Sequence, residues 1–481
     1  MRRYICMLLF LGLAFCLIIN TQVFAAGKTL YDDFSSNYID GSKWRQRAYV
    51  REIIDGQYVS KLGNRTPGMS AEVAPGIFRN NLSFAYPEII DSIECDITIV
   101  ETKLDSAPNS ESFAGIGGYF YNINEGFRVT GDIFAHIMVG DRGNGGLEAF
   151  WEVQEMLTDD ARTWRVIGNG TIIAPGTLKY NTPYKVKISY DGDRSFSFIV
   201  NEINDSFIGP IKKRVAESTW KGISSNINAT NSSNNGFVFA KFDNVYIDDQ
   251  ETVYEDFSSP PLDPDKWRGL EYVREVSNGF LRANIQGINS DGRVSTYLSD
   301  LNASYLEAKV RIESDSQLSP GAWGLARIQG TYYNDSRGPG SGQEYNGLEG
   351  DVFVQVRLEL RDNGLKARAW VSRDDDANGS TYTILFNEFF STIINFNADY
   401  TLSIEYTGSM FILKCNDETL SYPINTPTYP PYPPDEHRAL RTWIWLDSGE
   451  SGYLKAQFDD VFVDAEQSGA MPWIPLLLLD E

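Results

Sequence analysis

The sequence predicts an all-β chain made of two tandem β-sandwiches behind an N-terminal leader. Three observations carry that expectation. A phrase running from Tyr31 to Glu52 returns, nearly unchanged, from Tyr254 to Glu275. Apolar residues alternate with polar ones over short runs, the period of a half-buried strand. Turns rich in Gly, Asn and Asp separate those runs, and no long stretch has helical periodicity with caps. With 481 residues, 42% of them hydrophobic and 13% aromatic, the chain exceeds one ordinary core.

Residues 1–25 have the layout of an export signal. Arg2 and Arg3 precede an apolar run from Ile5 to Ile19 that is too short to span a bilayer, and Val23 and Ala25 supply the small residues of a cleavage site. Cys16 follows bulky Phe15, which does not fit lipoprotein processing. The expected product is secreted or held at the cell surface of a Gram-negative bacterium, with no transmembrane segment once the signal is removed. Removal takes Cys6 and Cys16 with it. Cys95 and Cys415 remain at non-equivalent positions and are expected to be buried, unpaired thiols. A net charge of −23 would repel nucleic acid and anionic lipid, whereas it keeps an exported protein soluble among neutral polymers. Two histidines cannot build a histidine-rich metal site.

The repeat has an offset of 223 residues at its start. Trp44 matches Trp267, Tyr49 matches Tyr272, Arg51 matches Arg274 and Glu52 matches Glu275. The echo continues as loops change length: "GYFYN" from Gly118 answers "TYYN" from Thr331, "GDIFAHI" from Gly131 answers "GDVFVQV" from Gly350, and "FDNVYID" from Phe242 answers "FDDVFVD" from Phe458. Repeats this long imply tandem domains rather than a solenoid. The expected units are residues 27–250 and 251–466, divided near Gln250, with a tail over 467–481.

Within the copies, "YKVKISYDGDRSFSFIVN" predicts a hairpin with an Asp-Gly turn, burying Tyr184, Val186, Ile188 and Tyr190. "VFVQVRLELRDNGLKARAWVS" predicts a longer hairpin with Val352, Val354, Val356, Leu358 and Leu360 on one face. A unit of this size that opens with "DDFS…W" and closes with "FDNVYI" resembles the concanavalin A-like lectin/glucanase family of jelly rolls, which includes laminin G-like domains. The resemblance covers both copies and implies neighbouring first and last strands. "YDDF" should then pair with "FDNVYI", so that each copy closes on itself with Trp44 or Trp267 as a core anchor.

Glucanases of this fold place acids in a Glu-x-Asp-x-x-Glu spacing on one strand face. The nearest stretch, "IECDITIVE", has Glu94 and Asp96, but Ile99 occupies the third position and Glu101 comes two residues late. The second copy has Lys309 in place of Asp96, and "LEGDVF" offers only Glu349 and Asp351. No catalytic residue is assigned. A Ser-His-Asp triad finds no nucleophile elbow. Asp374, Asp376, Asn378 and Gly379 imitate the start of a calcium loop, but Leu385 stands where the closing acid belongs. No cofactor is required. A structural calcium, of the kind similar folds hold, could draw on Asp33 with Asp243 and on Asp256 with Asp459.

Neutral glycans are gripped by aromatic faces and by hydrogen-bonding side chains. "RTWIWLD" puts Trp443 and Trp445 on one strand face, where they serve either packing or binding, and the first copy lacks the pair. The proline-rich stretch "YPINTPTYPPYPPDEH" carries Tyr422, Tyr429 and Tyr432, while Tyr121 and Tyr333 occupy matching positions. Trp443, Trp445, Tyr429, Tyr432, Tyr333 and Tyr121 are therefore the candidate ligand-binding residues. Trp151 and Trp370 are read as matching core positions. The apolar run over 471–479 either docks on its own domain or mediates export, anchoring or assembly. The sequence thus favours an exported, non-catalytic protein that binds a polysaccharide or glycoconjugate. A jelly-roll glycoside hydrolase and a matrix protein self-associating through its tail are the alternatives.

Overall fold

A computed structural model describes residues 27–63, 76–104, 110–229, 236–299, 303–336, 347–431 and 438–464. The leader, Tyr432 and the C-terminal tail lie outside the described residues. Within them, antiparallel strands form two β-sandwiches, and no helix is long and apolar enough to cross a membrane.

Strand alternation builds both layers. Pro183–Tyr190 buries Tyr184, Val186, Ile188 and Tyr190 and turns its lysines outward, then pairs with Ser195–Val200 across the expected turn. In the second half, Val352, Val354, Val356, Leu358 and Leu360 of Asp351–Arg361 all enter the core, and Arg361 pairs with Gly364 at the two-residue turn of the long hairpin. The inner sheet of the first half runs Gly76–Ser83, Lys221–Ala229, Glu111–Asn122, Asp132–Asp141, Glu148–Met156 and Trp164–Ile173. That of the second half runs Gly292–Tyr297, Arg438–Trp445, Trp323–Asn334, Asp351–Arg361, Gly364–Asp374 and Tyr382–Phe389. An outer sheet covers each. Cys95 and Cys415 are free and buried in these cores.

The copies do not close on themselves. Lys28–Asp32 pairs with Ala456–Asp464, the closing strand of the second copy, with Lys28 opposite Asp464 and Leu30 opposite Phe462. Trp44 is fully buried in the second core, stacks on Phe34 at 5.6 Å, and donates Nε1–H to Asp32 Oδ2 at 2.7 Å. Conversely, Glu255 bridges to Val245, and Trp267 lies in the first core against Phe84 and Phe257. The second opening phrase therefore completes the first half, and the first opening phrase completes the second half.

The cause is the short connection after Ile247. Asp248 and Asp249 both adopt left-handed φ values, 51° and 53°, which reverse the chain at once. Val245 N–H then meets Glu255 O at 2.8 Å. A nearby segment reaches the open side of "FDNVYI" at small loop-closure cost. The boundary near Gln250 consequently separates copies of the motif but not the packed cores.

The outer sheets meet along one seam. Ala48–Ile54 pairs with Tyr272–Ser277, with Val50 opposite Val273, Tyr49 opposite Arg274, and Arg51 opposite Tyr272. Because Val50 and Val273 are themselves equivalent at the 223-residue offset, the seam is a pseudo-two-fold within one chain. Arg282 ties Glu52 (2.7 Å) to Glu275 (2.6 Å) across it, and Lys61 joins Glu275 at 2.5 Å.

Candidate binding groove

The inner sheet of the second half carries a groove of about 900 Å³ on its face away from the core. Period-two alternation supplies the lining. Trp323, Arg327 and Gln329 come from Trp323–Asn334, and Phe353, Gln355 and Arg357 from Asp351–Arg361. Arg368 and Trp370 come from Gly364–Asp374, and Arg441, Trp443 and Trp445 from Arg438–Trp445.

Three tryptophans form one platform. Trp323 stacks on Trp445 with centroids 5.6 Å apart and planes at 17°, and Trp443 lies 5.4 Å from Trp445. Cross-strand pairing of Trp323 with Trp445 and of Leu325 with Trp443 fixes this arrangement. Trp445 remains 41% exposed. Guanidinium groups lie over the rings: Arg327 over Trp443 at 5.1 Å, Arg361 over Trp323 at 4.9 Å, and Arg357 over Trp370 at 5.1 Å.

Beneath the rings, Glu359 is buried and pairs with Arg357 at 2.7 Å, with Arg361, and with Arg368 at 3.5 Å. Burial draws the Arg357 guanidinium down to about 10, with the Glu359 charge opposing the fall. Arg327 is buried and donates Nη1–H to Gln355 Oε1 at 2.5 Å. Arg441 donates to Ser295 Oγ at 2.7 Å and to Tyr297 Oη at 2.6 Å. At the opposite end, Asp351 accepts from Asn334 Nδ2 at 2.7 Å. Asp374 is pushed up to about 6 by burial and by the charges of Asp351, Asp376 and Asp375.

Of the six candidate residues, Trp443 and Trp445 reach this groove. Tyr121 and Tyr333 do not. A β-bulge after Tyr119 in one copy and after Thr331 in the other turns two successive aromatics inward. Tyr121 stacks on Tyr190 at 5.4 Å, and Tyr333 on Tyr406 at 5.8 Å, both in the cores. Tyr429 pairs its backbone with Asn334 and does not line the groove.

Trp370 differs from its expected core place. His136 pairs with Glu152 and Gln355 with Trp370, so the counterpart of Trp370 is Glu152, while that of Trp151 is Ala369. A one-residue shift reverses the face. Trp151 accordingly packs in the core, 4.6 Å from Phe198, and Trp370 lines the groove. The arginines, Trp323 and Tyr382 were not foreseen. Their signal was the second face of "VFVQVRLELR", where Phe353, Gln355, Arg357 and Glu359 alternate with the valines.

The corresponding first-half groove is smaller, about 450 Å³, and includes His136, Glu152, Arg79 and Trp220. Gly118 opposite Lys221 and Gly330 opposite Arg438 align the two halves, which sets Asn226 and Asn228 in place of Trp443 and Trp445. Glu94 and Asp96 lie on the outer sheet's solvent face, where Lys185 pairs with Glu94 at 3.0 Å and Asn244 donates to Asp96 at 2.9 Å.

Asp376 accepts from Asn378, Ser380 and Thr381 of its own turn, which holds its carboxyl low. The strand exchange sets Asp256, rather than Asp33, beside the strand that carries Asp243, whose carboxyl is raised by burial, with the charges of Asp96 and Asp256 adding to the rise. Among the described residues, no group of three or more His, Cys, Asp or Glu side chains is arranged to hold a metal ion.

No family model and no curated protein matches the chain. Solved structures with a similar fold include a β-1,3-1,4-glucanase (lichenase) from a mouse hindgut metagenome, at 10% identity and TM-score 0.25, over 40% of this chain and 82% of that one. Domains LG4-5 of the mouse laminin α1 chain match at 12% identity and TM-score 0.23, over 82% and 96% of the two chains. The carbohydrate recognition domain of Emp46p matches at 15% identity and TM-score 0.22, over 38% and 84%.

Proposed function

We propose that this chain is an exported, non-catalytic carbohydrate-binding protein with two concanavalin A-like sandwiches, and that the second-half groove grips a polysaccharide or glycoconjugate. The observation that carries the reading is the platform of Trp323, Trp443 and Trp445 at the mouth of a groove of about 900 Å³. Sugar C–H faces stack on such rings, while Gln329, Gln355 and Asp351 offer hydrogen bonds to hydroxyls. Export rests on the leader sequence.

The test is retention of the mature chain on a panel of immobilised polysaccharides, with reducing ends assayed in the same samples. Binding that Trp445→Ala weakens by roughly tenfold, a typical stacking loss, supports the reading. Retention unchanged in a Trp443→Ala/Trp445→Ala variant removes the groove from it.

One observation favours glycoside hydrolysis instead. The Asp374 carboxyl, pushed up to about 6, stands in the groove near Asp351, the combination a general acid requires. Release of reducing ends that Asp374→Asn abolishes would replace the non-catalytic reading.

A further inference from the structure

The geometry points to an acidic ligand: the second-half groove is a site for a polysaccharide carrying carboxylate or sulfate groups, with Arg327 and Arg441 at its base as the anion receptor. This inference rests on the carbohydrate reading above and narrows it.

Charge is the first argument. Five arginines line the groove against two aspartates. Glu359 lies beneath them and is shared by Arg357, Arg361 and Arg368, so it balances only one of the three. In a chain of net charge −23, this local excess of positive charge runs against the whole molecule. At physiological salt the screening length is about 8 Å, so the charge of the wider surface is largely screened from a ligand held among the arginines.

Burial is the second, independent argument. Arg327 is 3% exposed and Arg441 8%, yet neither has a carboxylate partner among the described residues. Nε of Arg327 is buried and has no hydrogen-bond partner among the described residues. Leaving a buried guanidinium without a counter-charge is costly, and an anion bound in the groove would offset that cost. Burial and the nearby charges of Arg441 and Arg357 weaken the hold of Arg327 on its proton, which an incoming anion would reverse. The planar guanidinium suits a carboxylate or sulfate, and the tryptophan platform beside it suits the ring that carries the group. The first half replaces Arg327 with Gly115 and the tryptophan pair with asparagines, so the inference applies to the second groove alone.

The experiment uses the mature chain and paired polymers that differ in charge but share a backbone. The pairs are polygalacturonate with its methyl ester, and dextran sulfate with dextran; poly-glutamate tests for an acidic peptide. Retention on either acidic polysaccharide, lost on its neutral twin and weakened by salt, supports the inference, and the pair that responds identifies carboxylate or sulfate as the source. Arg327→Gln and Arg441→Gln should each weaken binding roughly ten- to hundredfold, the loss of one charge-assisted contact. Arg361→Gln, which removes a partly exposed groove charge outside the receptor, should weaken binding less, and thermal melting shows whether each variant folds. Equal binding to charged and neutral twins would overturn the acidic ligand and leave the carbohydrate reading standing. Binding to poly-glutamate alone, or to no polymer, would overturn both.

Discussion

Trp44 and Trp445 show how one residue type divides between a packed core and an open groove. Trp44 is fully buried and satisfies its ring N–H on Asp32, which is itself 5% exposed. Trp44→Ala should therefore destabilise the protein by about 3–5 kcal/mol, measured by denaturant unfolding, since it leaves a cavity and takes the ring N–H donor from buried Asp32 Oδ2. Trp445 is stacked and partly exposed, so Trp445→Ala should weaken ligand retention while moving the unfolding midpoint little. The repeat marked Trp44 as a core residue and left Trp443 and Trp445 open between packing and binding. Trp44 recurs as Trp267, whereas Trp443 and Trp445 have no counterpart. It failed at Trp370, because the period-two rule assigns a face only once the register is known to the residue, and the hairpin leading to Trp151 is shifted by one.

Strands and hairpins were the most legible level, because alternation and turn chemistry are local properties. Bulges were not. The extra residue after Tyr119 and Thr331 leaves no mark that separates it from an ordinary aromatic strand, and it sent Tyr121 and Tyr333 inward. The seam is the element with the largest electrostatic consequence. Glu271 is fully buried, accepts from Ile53 N–H at 3.1 Å, and is pushed up to about 7 by burial, with the charge of Glu52 adding to the rise. The folded state then keeps a proton that the unfolded chain loses near 4.5. Its contribution is most favourable below that pH, falls as pH climbs from 4.5 to about 7, and is flat above. Glu271→Gln keeps an acceptor for Ile53 and cannot ionise. Its stability relative to wild type should rise between pH 5 and pH 8, by on the order of 3 kcal/mol, in denaturant titrations at the two pH values. A constant difference across that range would mean that Glu271 titrates alike in the folded and unfolded states.

At the scale of the molecule, the exchange of opening strands could not be read from the phrases themselves. "YDDF" and "YEDF" are nearly identical, as are "FDNVYI" and "FDDVFV", so either pairing satisfies the same side chains. The choice is made by the connection: the reversal at Asp248 and Asp249 delivers Glu255 to Val245 and leaves residues 28–44 only the second closing strand. Lys28–Asp32 and Ala456–Asp464 thereby join the two halves of the sequence, and neither sequence copy carries a complete core. A fragment over residues 268–464 should fail to unfold cooperatively, because it lacks the strand, Phe34 and Trp44 that fill its core. Lys28 lies directly opposite Asp464, so the missing segment can be restored by joining residues 28–47 after Asp464 through a linker like the one the chain uses after Ile247. That permuted half should melt in a single transition and retain the tryptophan groove. Cooperative melting of the plain fragment at the same temperature would mean that the exchanged strand contributes nothing, and that each copy can close on its own.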